Sequence, residues 1–335
     1  MLAYIRRSAV LASIVVAAAL LAWPAVAQQT FSFGVFGDPA YVPEREPQLA
    51  NVLADLDRTP LAFVVHLGDL GSPRRGSCTD ELWARRLAQF RASANPMIYT
   101  PGDNDWTDCH EQQGVKGGDP AERLGQLRSL FFAGEDSFGR RTIPLVRQDG
   151  TADPRFAAYR ENKRWQAGSV TFVTLHVVGS NNNRGRTPEA DAEFAERNAA
   201  SIAWMRAGFA HAKTAGSSGI VLLQQANPFP HLPPYPGDPK QEPNGFAELR
   251  AELAKEALAF GKPVLLVHGD SHFFRVDMPY LIRREGQMPV VANLTRLESF
   301  GDPFHHWVEI RVDPADGNVF TIRPRMVAAN IGGGR

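Results

Sequence analysis

Gly-Asp occurs at Gly37-Asp38, Gly68-Asp69 and Gly102-Asp103, each time directly after a short apolar run or its closing residues. One such pair is ordinary turn chemistry, but three in register are harder to assign to turns alone. Two later apolar runs end in polar residues, one at Gln225 and one at His268, the second followed by Gly269-Asp270-Ser271-His272. Together Asp38, Asp69, Asp103, Asn104, Gln225, His268, Asp270 and His272 supply carboxylates, amides and imidazoles, the donors that hold divalent metal ions. Carboxylates crowded into one pocket repel each other, and a divalent cation relieves that repulsion. Such a cation makes bound water nucleophilic at neutral pH. Two cations can clamp the attacking and leaving oxygens of a phosphoryl transfer.

The elements that must position these residues follow from hydrophobic period. Phe31–Phe36, Leu61–Leu67 and Pro96–Thr100 read as buried strands. Between them, Pro47–Asp57 and Asp80–Ala92 carry apolar residues at helical spacing. Strand, helix, strand, helix, strand predicts parallel strands with right-handed crossovers, and hence an α/β fold. In such sheets ligands sit beyond the carboxyl ends of the strands, which is where the Gly-Asp pairs fall. Further on, Ala121–Phe132 reads as a helix and Tyr159–Trp165 with Ser169–Val178 as a hairpin. A long helix is predicted over Pro188–Lys213, a strand over Gly219–Gln225, a helix over Phe246–Phe260 and a strand over Lys262–His268. Three or four β segments fill Val290–Arg323. One mixed sheet, or two stacked sheets flanked by helices, fits this order.

The succession Gly-Asp, Gly-Asp, Pro-Gly-x-x-Asp, a strand ending in a ligand, then Gly-x-x-His resembles the calcineurin-like metallophosphoesterases. The resemblance covers most of the chain in order and spacing. It implies a four-layer α/β/β/α sandwich with two mixed β-sheets. It also implies hydrolysis of phosphate mono- or diesters by metal-bound hydroxide, on a small molecule or another phosphorylated substrate. Its metal positions map to Asp38, Asp69, Asp103, Gln225, Asp270 and His272, with Asp69 as the bridge. Asn104 takes the place of the histidine that assists the leaving group; a one-residue slip makes Asn104 the ligand instead of Asp103. Gln224 is the alternative to Gln225. The family often has a histidine two residues after the first aspartate, where Ala40 stands here; purple-acid-phosphatase-like members lack it too. Asp103 replaces an asparagine, and Gln225 and Asp270 each replace a histidine, yet all three keep an atom able to bind metal. Oxygen donors favour Mn²⁺, Mg²⁺ or Ca²⁺ over Zn²⁺, as one ion or two.

Other residues have two readings each. His268 is a candidate proton donor, or a strand-end histidine satisfied by backbone. In Gly179–Arg184, Asn182 and Arg184 offer an amide and a forked guanidinium for phosphate, or simply form a polar turn. His231, in a proline-rich stretch, lines the mouth or sits on a surface loop. His66 and His176 read as core or edge residues, and Trp83, Trp106 and Trp204 as packing.

The chain opens with Arg6-Arg7, an apolar run from Ala9 to Leu21 and Ala25-Val26-Ala27, the three parts of a secretory signal peptide. An uncleaved anchor is the alternative. Cleavage after Ala27 leaves a single domain over 28–335, exported to a periplasm or to the medium, with no second apolar run long enough to span a membrane. Removing the two leader arginines from 36 basic and 36 acidic residues leaves a net charge of −2, so no basic excess drives nucleic-acid binding. In an oxidising compartment the two cysteines, Cys78 and Cys109, read as a disulfide, with two free buried thiols as the alternative. A bridge would tie the second Gly-Asp loop to the third. Two further function classes compete with the hydrolase: a non-catalytic metal- or phosphate-binding scaffold, and a serine esterase built on Gly269-Asp270-Ser271. The second lacks a partnering Asp-x-x-His downstream.

Overall fold

The computed structural model describes residues 29–73, 78–111, 118–151, 153–229, 244–280 and 290–332. The leader 1–27 and His231 lie outside the described residues.

Among the described residues, twelve strands form two mixed sheets. In the first, β12 (Phe320–Arg325) and β11 (Trp307–Val312) run antiparallel to each other, and β11 runs antiparallel to β1 (Phe31–Phe36). Then β1, β2 (Val64–His66) and β3 (Met97–Tyr99) continue in parallel. The second sheet runs β4 (Val146–Arg147), β5 (Lys163–Ala167), β6 (Val170–Thr174), β7 (Gly219–Leu223), β8 (Val264–His268), β10 (Leu294–Glu298) and β9 (Arg275–Asp277). Its central run from β6 to β10 is parallel, with antiparallel strands at both margins.

Strand alternation divides the core. On one face of the first sheet Phe33, Val35, Val65 and Ile98 meet Phe172, Val221, Leu265 and Leu297 of the second. On its other face Phe36, Val64 and Tyr99 pack against α1 (Glu46–Arg58), α2 (Asp80–Ala92) and α3 (Pro120–Phe131). The far face of the second sheet, with Val173, Leu222 and Leu266, is covered by α5 (Pro188–Thr214) and α6 (Ala247–Phe260). The helices form because their apolar residues share a face and their ends are capped. In α1, Leu49, Val52 and Leu56 are buried in step. The Thr79 and Thr187 side chains accept the amides of Leu82 and Ala190 at the starts of α2 and α5.

The expected α/β order therefore stands, with two mixed sheets and flanking helices. The second and third strands are shorter than their apolar runs, although hydrogen bonding continues past the ladder: Ala62 N donates to Ser32 O at 2.8 Å and Leu67 N to Phe36 O at 2.8 Å. The structure adds β4, β9 and α4 (Gly179–Asn182), a single turn in left-handed backbone. Cys78 and Cys109 form a disulfide, with Cα atoms 5.7 Å apart. No helix among the described residues is long and apolar enough to cross a membrane.

Candidate functional site

The carboxyl ends of parallel strands from both sheets meet at one edge. Asp38 follows β1, Asp69 follows β2 and Asp103 follows β3; Gln225 follows β7, and Asp270 with His272 follows β8. The side chains fall into two adjoining groups. In the first, the Tyr41 hydroxyl is central. It lies 2.7 Å from Asp69 Oδ2, 3.2 Å from Asp38 Oδ1 and 3.2 Å from His272 Nε2, and it accepts from Asn104 Nδ2 at 3.0 Å. Asn104 Nδ2 also donates to Asp69 Oδ2 at 2.8 Å. His272 places Nδ1 2.6 Å from the Asp302 carbonyl, which turns Nε2 toward the group. That is the orientation of a metal-ligating imidazole with a carbonyl behind it.

In the second group the Gln225 amide is central. Its Nε2 donates to Asp103 Oδ1 at 2.8 Å and reaches Asp69 Oδ2 and Asp270 Oδ1, each at 3.4 Å. Its Oε1 is engaged elsewhere, accepting the Gly179 amide at 2.7 Å. Gln225 thus enters the site, but it presents NH₂ there rather than the oxygen expected of a ligand. Ser180 Oγ lies 3.0 Å from Asp103 Oδ2 and 2.7 Å from Asp108 Oδ2, between which its one proton is shared. Gln224 turns away to the Ala226 carbonyl. Asp103 and Asn104 both enter the cluster, one into each group.

The loops that carry these residues are strained. Ten non-glycine residues among those described have left-handed backbone, and nine of them are Asp38, Ala40, Asp69, Asp270, His272 and the run Ser180–Asn183. Left-handed φ in side-chain-bearing residues costs of order 1–3 kcal/mol each and persists where surrounding structure enforces it. The enforcement is visible. Asp105 accepts from Asp69 N at 2.9 Å, Leu70 N at 2.6 Å, Gly102 N at 2.8 Å and Tyr99 Oη at 2.7 Å, so one buried carboxylate clamps the second loop to the third. The Ala40 amide is held by His305 Nε2 at 3.1 Å. Close approach demands glycine at several points round the cluster. A methyl on Gly179 would meet Asp103 Oδ2 at 2.5 Å and Asp270 Oδ1 at 2.6 Å, and one on Gly269 would overlap the Asp38 carboxylate.

Electrostatically the cluster holds more carboxylates than cations. Burial, then the charges of Asp103 and Asp38, push the Asp69 carboxyl far above its ordinary range; burial and Asp270 do the same to Asp103. Burial raises Asp270 to about 6. Burial opposes protonation of His272, but its hydrogen bond to Asp38 and the Asp38 charge outweigh that and raise it to about 9. No lysine or arginine among the described residues pairs with Asp38, Asp69, Asp103 or Asp270; His272 is the cationic partner. A divalent cation fits this set by charge and donor type. Oxygen donors dominate, the backbone approaches closely enough to leave a cradle, and the first group already gathers two carboxylates, a phenol oxygen and an imidazole nitrogen. Among the described residues, no three His, Cys, Asp or Glu side chains close round one point as a ready-made cage. The Tyr41 hydroxyl and the Gln225 amide stand between the carboxylates, so an ion entering the first group would take Tyr41 as a ligand or displace its hydroxyl.

Three expected residues do not join the cluster. His268 is fully buried with Nδ1 2.9 Å from the Gly269 carbonyl. Asn182 points inward to Arg197 Nη1 at 2.5 Å and to the Gly245 carbonyl at 3.1 Å. Arg184 lies over the Phe194 ring at 5.5 Å. His66 and His176 are core residues as read, His176 bonding Glu161 at 2.7 Å and Trp106 at 3.1 Å. Sequence reasoning missed Tyr41, Asp105, Ser180 and Asp108. The available signals were position only: Tyr41 three residues after Asp38, and Asp105 closing the third loop.

No family model and no curated protein matches the chain.

Proposed function

We propose that the chain is an exported, metal-dependent phosphoesterase with the four-layer architecture of the calcineurin-like metallophosphoesterases. One observation carries the reading. Carboxylates from the ends of four parallel strands in two sheets converge, Asp38, Asp69 and Asp103 buried and Asp270 half-buried, with His272 as the cationic partner of Asp38. A bound divalent cation would supply Lewis-acid polarisation of a phosphoryl oxygen and a low pKa for a coordinated water.

The chain's own residues do the rest. Asp38, Asp69 and His272 would hold the cation, and the Asp302 carbonyl fixes the His272 ring. Asn104 Nδ2 and the Tyr41 hydroxyl, both beside Asp69, donate hydrogen bonds to phosphoryl oxygens that displace their present partners. Asn104 has no titrating proton to give, so an ester with a good leaving group turns over faster than one that needs protonation. The disulfide supports export, since such bridges persist in oxidising compartments.

A second reading, a non-catalytic metal- or phosphate-binding protein, is favoured by one feature: Tyr41 and Gln225 stand between the carboxylates and donate hydrogen bonds to them. The two separate by assay. Incubation with an aryl phosphodiester and Mn²⁺ releases aryl alcohol under the first reading. Under the second, inorganic phosphate binds and no alcohol appears.

A further inference from the structure

The two groups in the site are not equivalent centres for a cation. In the first, the central atom is the Tyr41 oxygen, which has lone pairs and can itself become a ligand. In the second, the central atom is Gln225 Nε2, an amide nitrogen with no lone pair to offer a metal. Its orientation is fixed at both ends. Oε1 takes the Gly179 amide at 2.7 Å, and turning the amide over would face two donors together there and face oxygen to three carboxylates. The stem is confined as well. Hypothetical methyl groups on Gly68 and Gly102 would each lie 2.8 Å from Gln225 Cγ, so the backbone grips the side chain on both sides. Gln225 is fully buried.

We propose that the site takes one divalent cation, in the Tyr41 group, and that the Gln225 NH₂ stands permanently where a second cation would otherwise bind. The inference rests on the metal-dependent reading given above. It makes Asp103 and Asp270 partners of an amide rather than ligands. It leaves Asp38, Asp69 and His272 as the ion's protein ligands. Gln225 is then a specificity-determining residue, setting how many ions the cluster admits.

Metal stoichiometry tests this without recourse to activity. The full-length processed protein is stripped of metal, titrated with Mn²⁺ by calorimetry, and examined by electron paramagnetic resonance. One Mn²⁺ per chain with the signal of an isolated ion is expected. Gln225→Glu removes the NH₂ and adds an anionic donor, so two Mn²⁺ per chain and an exchange-coupled signal are expected. Asp103→Asn guards against misfolding of that variant. It leaves one ion bound, because Asp103 is not a ligand, whereas a two-ion site would lose an ion. Two coupled ions in the unaltered protein, or an unchanged single ion in a folded Gln225→Glu variant, would overturn the proposal and leave the metal-dependent reading intact. No Mn²⁺ in any folded form would instead overturn the metal-dependent reading beneath it.

Discussion

At the scale of single residues, the candidate site depends on a carboxylate that holds its loops together. Asp105 accepts four hydrogen bonds and is buried, so Asp105→Ala strands three amides and a phenol in the interior. The expected loss is roughly 3–5 kcal/mol in urea unfolding, since each orphaned buried donor costs about 1–3 kcal/mol and relaxation recovers part of it. A loss below about 1 kcal/mol would mean that the clamp is dispensable. The ligand-type residues were legible because Gly-Asp at a strand end is a repeated local pattern. Tyr41, Asp105 and Ser180 were not, because their roles arise where loops from distant parts of the chain meet. Orientation was illegible too. The sequence shows that Gln225 follows a strand, but only the Gly179 amide, 46 residues away, decides which end of its side chain faces the carboxylates.

At the scale of elements, the helices and most strands could be read from hydrophobic period and caps. Asp80–Ala92 and Phe31–Phe36 are found over the residues expected. The left-handed turn of α4 could not be read, because four successive left-handed residues oppose local preference and are imposed by Arg197, which bonds both the Asn182 side chain and its carbonyl. Nor could β9, a three-residue margin strand with little apolar pattern of its own. The disulfide belongs to this scale, since it joins the loop beyond Asp69 to the loop beyond Asp103 across 31 residues. Its reduction is expected to lower stability by roughly 3–4 kcal/mol and to weaken metal affinity, because the ligand loops lose their tie. Unfolding and Mn²⁺ titration of reduced, alkylated protein measure both. Unchanged affinity would show that Asp105 alone aligns the loops.

At the scale of the whole molecule, stability against acid is set partly far from the site. Burial alone would raise the Glu161 carboxyl, but Arg128, then His176, outweigh it and hold it at about 2, against an ordinary 4.5. A depressed carboxyl contributes stability that is complete above its unfolded pKa and is lost as pH falls through the folded one. The stability difference between the unaltered chain and Glu161→Gln is therefore expected to be flat near neutrality and to narrow from about 4.5 towards about 2. Subtraction cancels the titration of the site carboxylates. A difference that widens on acidification would contradict the sign. His66 acts in the same direction: burial, then Arg86, keep its ring neutral down to about 3, so its contribution declines as pH drops below 6.5. Two packed sheets were among the arrangements consistent with the sequence. The choice of sheet for each late strand was not, since β10 joins the second sheet and β11 with β12 the first.

Under the proposed function, Asp38, Asp69 and His272 bind a divalent cation and the site hydrolyses phosphate esters. The most direct test is hydrolysis of aryl phosphate mono- and diesters by metal-stripped protein, alone and with Mn²⁺, Mg²⁺, Ca²⁺ or Zn²⁺, beside Asp69→Ala. Turnover that is absent without metal, restored best by Mn²⁺, Mg²⁺ or Ca²⁺, and reduced at least a hundredfold in folded Asp69→Ala is the predicted result. Turnover equal in stripped and loaded protein, or retained in Asp69→Ala, would contradict it.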